Sequence, residues 1–380
     1  MDNSELSSNI PPTIAKSTTI SKRSEIWLQI AFAILSPLLL IGLLEGVAYV
    51  WERAQANGMY AWELVASRRL VWERHPEPGA GYTLMKPGSH YEWQAIPVDI
   101  NSHGLRGPET TYEKPPATYR ILNLGDSVAM GWGVRVEDTY GQRLESLLIE
   151  EHSSDLHFEV INAGVPGWNL ENALAYLQAE GLKYEPDLIL LDLTVANDIN
   201  GKSALLERGQ PAPTEWLRAN TYFWPFLTVQ MRWLQARSEG RERIDVLDPP
   251  TNPAKYFPLD PASERWTEVW NHVLGIKRLA AEKDTPVMLI IFPLEFQVLE
   301  ESYPTLAQEI LASKAAEADI PVLDLLPAFR QACQEKPGGA CHREDRYLFA
   351  DLWMHPSAYG NELAAVELEA LLSHGLINER

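Results

Sequence analysis

Apolar runs that alternate with amphipathic stretches dominate the chain after residue 116. Between the first three of these runs, residues 138–151 and 170–184 place apolar side chains three and four positions apart, which indicates helices with one buried face. Runs that are apolar at nearly every position are typical of strands buried on both faces of a sheet. The pattern predicts a parallel sheet covered by helices on both sides, with strands at residues 119–125, 158–164, 186–194, 286–293 and 320–326.

A different apolar segment lies near the N-terminus. Residues 26–44 contain no charged side chain over nineteen positions, close to the roughly 20 residues that cross a bilayer core. Trp27 lies at one end and Tyr49 and Trp51 follow the other, as expected for membrane interfaces. The segment predicts a retained anchor at residues 26–50, with a cleaved signal peptide or a buried helix as alternatives.

Basic residues favour one orientation of this anchor. Lys16, Lys22 and Arg23 precede it closely, so the positive-inside rule places the N-terminus in the cytoplasm and the rest of the chain outside. The sequence therefore divides into four parts: a disordered cytoplasmic tail (1–25), a single-pass anchor (26–50), a juxtamembrane and extended linking segment (51–116), and a main domain (117–380) with an aromatic-rich insertion at about 200–262.

The net charge and the two cysteines indicate which partners and which compartment suit the main domain. The formal net charge is −20 and the pI is about 4.9, so a nucleic acid, whose phosphates would be repelled, is not the expected partner. Cys333 and Cys341 flank a turn-forming Pro-Gly-Gly sequence in a domain expected outside the cytoplasm. We predict a disulfide between them, with two free thiols as the alternative.

Three predicted strands end in residues that suit acyl chemistry. Ser127 follows the first strand in a Gly-Asp-Ser turn, Gly167 follows the second, and Asn197 follows the third. In a parallel sheet these ends meet at one edge, where Ser127 could act as nucleophile. The Ser127 N–H, the Gly167 N–H and the Asn197 amide could bind an oxyanion. His355, before Pro-Ser near the C-terminus, could be the base, oriented by Asp351.

Four blocks of the sequence carry a family resemblance. Residues 122–134 (LNLGDSVAMGWGV), 160–169 (VINAGVPGWN), 186–200 (PDLILLDLTVANDIN) and 351–365 (DLWMHPSAYGNELAA) resemble, in order, the signature blocks of SGNH or GDSL-type hydrolases. The resemblance implies a three-layer α/β/α sandwich with a five-stranded parallel, flavodoxin-like sheet. It also implies Ser127 as nucleophile, His355 as base, and oxyanion donors from Ser127, Gly167 and Asn197.

The last block departs from the family pattern. The family aspartate lies three residues before the histidine, but that position is Leu352 here, and Asp351 lies four before. Either a bulged loop brings Asp351 to His355, or the imidazole is oriented by a backbone carbonyl in a Ser-His dyad.

These observations predict a membrane-anchored extracytoplasmic serine esterase. It would hydrolyse acetyl or other short O-acyl esters, in acylated carbohydrate or another small ester substrate, through an acyl-enzyme that needs no metal or organic cofactor. Two alternatives remain open: an O-acetyltransferase of cell-envelope polysaccharides, and an inactive binding or scaffold protein of the same fold.

Overall fold

The structure is a computed structural model that describes most of the chain. It describes residues 22–54, 72–74, 81–93, 96–151, 156–199, 217, 221–238, 257–342, 345–351 and 354–375. The predicted disordered tail lies almost entirely outside the described residues, as does most of the insertion predicted at 200–262.

The N-terminal apolar segment forms one long helix, α1 (Lys22–Ala54). Residues Lys22–Trp51 of this helix are long and apolar enough to cross a membrane, with a mean hydropathy of 2.2 in the most apolar stretch, none of which is buried in the protein. Pro37 lies inside the helix without ending it. The prediction of one apolar N-terminal helix is confirmed.

The described part of the linking segment contains four short antiparallel strands. Strand β1 (Trp72–Arg74) pairs with β2 (Thr83–Met85), and β3 (His90–Trp93) pairs with β4 (Ile96–Asp99). The indole N–H of Trp168 donates to the carbonyl of Thr83 at 2.9 Å, which ties β2 to the main domain. The linking segment therefore packs on the main domain beside the turn that contains Gly167.

A five-stranded parallel sheet forms the centre of the main domain. In chain order its strands are β5 (Thr118–Gly125), β6 (His157–Gly164), β7 (Leu188–Thr194), β8 (Val287–Phe292) and β9 (Val322–Asp324). Their order across the sheet is β6-β5-β7-β8-β9, so β5 lies between β6 and β7. Every residue of β5, β7 and β8 is buried, as expected for strands covered on both faces.

Helices cover the two faces of this sheet. Helix α3 (Tyr140–Glu151) packs with α11 (Ala358–Gly375), and α4 (Leu170–Ala179) packs with α7 (Glu264–Ala281). Since β5 lies between β6 and β7, the usual right-handed crossover places α3 and α4 on opposite faces. The buried positions of α7 recur every three or four residues: Trp266, Val269, Trp270, Val273, Ile276 and Ala280. The other main-domain helices are α2 (Ser127–Met130), α5 (Val195–Ile199), α6 (Phe223–Ser238), α8 (Glu295–Leu299), α9 (Leu306–Glu317) and α10 (Leu326–Gln334). The predicted three-layer α/β/α fold is confirmed.

Helix α6 from the insertion packs against α1. The carboxylate of Glu45 accepts hydrogen bonds from the backbone N–H groups of Tyr222 at 2.6 Å and Phe223 at 3.3 Å, at the N-terminus of α6. A carboxylate suits this position because the first N–H groups of a helix lack partners within the helix. The rings of Tyr49 and Tyr222 meet edge to face above this contact, as do those of Trp51 and Phe226.

The predicted disulfide is also present. Cys333, in α10, is bonded to Cys341, with their Cα atoms 5.0 Å apart. The backbone N–H of Cys341 donates to the carbonyl of Cys333 at 3.0 Å. The bond therefore closes the turn that precedes the loop containing Asp351 and His355.

Candidate active site

Ser127 lies at the carboxyl end of strand β5, which is flanked by β6 and β7. Asp126 precedes it, and its Oδ1 accepts the N–H of Val128 at 2.7 Å, which caps the one-turn helix α2. A Cβ added to Gly125 would lie 2.6 Å from the Cβ of Asp192 on β7, so only glycine fits before this turn. The chain therefore turns sharply at Ser127.

His355 lies beside this serine although 228 residues separate them. The Nε2 of His355 is 2.8 Å from the Oγ of Ser127, and both side chains are buried, at 4% and 5% exposure. A loop that folds back on itself holds the histidine: its carbonyl accepts the N–H of Ala350 at 2.7 Å, and Phe349 pairs with Pro356. An imidazole at this distance can accept the serine proton.

Asp351 reaches His355 despite the four-residue spacing. Its Oδ2 is hydrogen-bonded to the Nδ1 of His355. Its Oδ1 accepts the backbone N–H groups of Met354 at 3.0 Å and His355 at 3.1 Å. The Asp351 side chain thus bonds both the ring and the backbone of His355 across the four-residue spacing. The geometry is that of a serine-histidine-aspartate arrangement.

Gly167 and Asn197 follow the two strands that flank β5. Gly167 lies in the turn after β6 with a φ of 78°, a left-handed conformation that favours glycine. Asn197 lies in α5 directly after β7, but its side chain lies outside what the structure describes. The backbone therefore brings both positions to the sheet edge that holds Ser127.

Buried carboxyl groups near the site escaped the sequence analysis. Asp192 lies within the otherwise apolar strand β7, and Asp198 lies in α5. Burial first, and then the neighbouring charge of Asp126, raise the pKa of each well above the ordinary range of aspartate. The phenol of Tyr140 donates to Asp192 at 3.2 Å, and Oδ1 of Asp192 has no hydrogen-bond partner among the described residues. A charged residue inside a strand buried on both faces is the signal that could have found Asp192.

Comparison with known proteins assigns the chain to a family. Residues 124–363, more than half of the chain, match the sequence model of the GDSL-like lipase/acylhydrolase family. The chain belongs to this family. The predicted resemblance is therefore confirmed, and the assignment supports the expectation of an ester-hydrolysing enzyme.

Individual relatives of this GDSL-family chain are distant. An arylesterase from Vibrio mimicus is 32% identical over 85 residues, which are 22% of this chain and 41% of that protein. The match thus spans about two-fifths of the relative. The structure of the acetyl xylan esterase AlAXEase aligns with a TM-score of 0.42 and 14% identity, over 67% of this chain and 99% of that one. A lipase/acylhydrolase from Enterococcus faecalis aligns with a TM-score of 0.38 and 19% identity, over 67% and 96%.

Proposed function

We propose that this protein is a membrane-anchored, extracytoplasmic serine esterase that hydrolyses small O-acyl esters through an acyl-enzyme. The observation that carries the proposal is the 2.8 Å contact between Ser127 Oγ and His355 Nε2. The hydrogen bond from His355 Nδ1 to Asp351 supports it, because that bond fixes the tautomer in which Nε2 can accept a proton.

The first half-reaction forms the acyl-enzyme. Ser127 Oγ attacks the ester carbonyl carbon while its proton passes to His355 Nε2. The tetrahedral intermediate then expels the alcohol, which takes this proton from the imidazolium. Asp351 holds the positively charged imidazolium in place, so a triad rather than a dyad is proposed.

The second half-reaction releases the acid. A water molecule gives a proton to His355 Nε2 and attacks the acyl carbon, and Ser127 Oγ leaves with that proton. In both steps the oxyanion would accept hydrogen bonds from the Ser127 N–H, the Gly167 N–H and the Asn197 amide. Their places after β5, β6 and β7 support this assignment.

Helix α1 supports the proposed membrane location. Its apolar length matches a bilayer core, and Lys22 and Arg23 at its start favour a cytoplasmic N-terminus. The disulfide between Cys333 and Cys341 fits an oxidising compartment. We accordingly propose the division into tail, anchor, linking segment and catalytic domain at residues 25, 50 and 116. Carbonate extraction of membranes would test the anchor, and release of a shortened protein would indicate a cleaved signal instead.

Ser127→Ala tests the nucleophile in the full-length protein in detergent. We expect hydrolysis of p-nitrophenyl acetate to fall by about 10³-fold or more, together with loss of fluorophosphonate labelling, because Ser127 would form the acyl-enzyme. The matched control is Ser146→Ala, which removes an exposed hydroxyl from α3 and should leave both unchanged.

Other outcomes would redirect the proposal. A labelled Ser127 without hydrolysis, but with acetyl transfer to a polysaccharide hydroxyl, would identify an O-acetyltransferase. An unlabelled Ser127 in folded protein would favour a binding or scaffold role. Release of acetate from acetylated oligosaccharides, compared with p-nitrophenyl acetate, would test whether acylated carbohydrate is the substrate.

A further inference from the structure

Arg106 is a buried cation in the linking segment, only 1% exposed. Its guanidinium donates to four backbone carbonyls: Gly131 at 2.6 Å, Val134 at 2.8 Å, and Met130 and Pro97 at 3.3 Å each. All its hydrogen bonds within the described residues thus go to neutral acceptors. Burial lowers the pKa of Arg106 to about 10, against the weaker opposing effect of Glu137 and Asp99.

Burial of the Arg106 guanidinium costs hydration free energy, and fixing the backbone that it binds would account for its presence. A buried cation that lacks a hydrogen-bonded carboxylate loses hydration without a matching ion pair. Three of the four carbonyls that Arg106 binds belong to residues 130–134, which directly follow the turn of Ser127. Arg106 therefore fixes the nucleophile loop, defined here as residues 130–134, from the side of the linking segment.

The nucleophile loop packs against Arg106 and Thr139. Gly131 has a φ of 82°, and a Cβ added there would lie 3.4 Å from Nη1 of Arg106 and 2.2 Å from Cγ2 of Thr139. Apolar packing reinforces this contact, because Met130 and Trp132 form a small separate core with three residues of the linking segment, Met85, Val98 and Ile100.

Trp132 connects the nucleophile loop to both Ser127 and His355. Its backbone N–H donates to the carbonyl of Ser127 at 2.9 Å. Its ring is stacked on the imidazole of His355, with the centroids 5.7 Å apart and the planes inclined by 27°. A displacement of the nucleophile loop would therefore remove the surface against which the imidazole rests.

We propose that Arg106 is a positioning residue for the Ser127–His355 pair, acting through the nucleophile loop and Trp132. The inference rests on the proposed function of that pair. The linking segment would thus complete the active site, in addition to joining the main domain to α1.

The test replaces Arg106 with methionine, which keeps much of the side-chain volume but removes the donors. We expect Arg106→Met to lower kcat for p-nitrophenyl acetate about 10- to 100-fold, with KM changed less than about threefold, because misplacement of reacting groups by about 1 Å can cost 10²-fold in rate. The rate of fluorophosphonate labelling should fall in parallel. Arg106→Lys, which retains a donor, should recover part of kcat.

Arg120→Met is the matched control. Arg120 is also fully buried, but it binds Glu159 and the carbonyls of Tyr112 and Tyr184, away from the nucleophile loop. This variant should lose stability and keep kcat. Equal kcat in the two methionine variants, or a change confined to KM in Arg106→Met, would overturn the proposal.

A proton NMR measurement separates this inference from the proposed function. The hydrogen-bonded Nδ1 proton of His355 should give a far-downfield signal, assigned by its loss in His355→Gln. We expect the signal to broaden or vanish in Arg106→Met and to persist in Arg120→Met. An unchanged signal in Arg106→Met would contradict positioning by Arg106. Absence of labelling and hydrolysis in the wild type would instead contradict the proposed function, and the NMR comparison would still decide the role of Arg106.

Discussion

Two buried carboxyl groups near Ser127 differ in the number of hydrogen-bond donors around them. Asp351, in the C-terminal loop, accepts hydrogen bonds from two backbone N–H groups and from the imidazole of His355. Asp192, on β7, accepts one from the phenol of Tyr140 and lies near the charge of Asp126. Both are almost fully buried. The difference teaches that burial alone does not show what a carboxyl group does, because the hydrogen-bond donors around it decide whether its charged form is stabilised.

Among the variants that test this comparison, Asp351→Asn should cause the largest change, a loss of kcat. An amide cannot hold the imidazole in the tautomer that accepts the serine proton, so kcat should fall by about 10²- to 10⁴-fold. Steady-state hydrolysis by the full-length protein would measure this. Asp345→Asn, which alters an exposed carboxylate in the same loop that binds Lys336, is the control and should stay within about twofold of wild type. Full activity in Asp351→Asn would indicate a Ser-His dyad.

Removal of the disulfide should have the next largest effect. Cys333 and Cys341 are eight positions apart, and a loop of this size should contribute about 2.5 kcal/mol through the entropy of the unfolded chain. The double variant Cys333→Ala/Cys341→Ala should therefore unfold at lower urea concentration, and dithiothreitol should shift the wild type but not the variant. A shift in both would show that the reductant acts elsewhere.

Asp192→Asn should have the smallest effect, on stability rather than on catalysis. Because burial raises the pKa of Asp192, the folded protein binds its proton more tightly than the unfolded chain does. The associated stability is present below the unfolded pKa and is lost as pH rises through the folded pKa, at about 1.4 kcal/mol per pKa unit.

Urea titrations between pH 4 and 8 would measure this loss. Wild-type stability should decline more steeply with pH than that of Asp192→Asn, whose kcat should remain near wild type. Asp198 should leave a residual slope, because burial raises its pKa as well. Asp260→Asn, a surface replacement, should reproduce the wild-type slope. A slope in Asp192→Asn as steep as that of the wild type would contradict a protonated Asp192.

Much of the fold and part of the site could be predicted from the sequence. The five strands are mainly apolar runs, and Ser127, Gly167 and Asn197 follow three of them within three residues, so local patterns were sufficient. The partnership of Asp351 with His355 could only be offered as one of two alternatives, because it depends on the conformation of a short loop.

Long-range contacts account for what the sequence did not predict. Arg106 contacts a loop that follows it by about 25 positions through backbone carbonyls, which leave no trace in residue type. The packing of Tyr222 and Phe226 on α1 was likewise unpredicted, since no pattern in the sequence links the aromatic-rich insertion to the N-terminal helix.

The sequence separation of Ser127 and His355 also has a consequence for biosynthesis. A ribosome that adds about 5 to 20 residues per second needs roughly 10 to 45 s to pass from one to the other, a distance of 228 residues. Ser127 and most of its sheet are therefore made well before His355. A nascent or truncated chain that ends before the final loop carries Ser127, the proposed nucleophile, but lacks His355, the imidazole proposed to activate it.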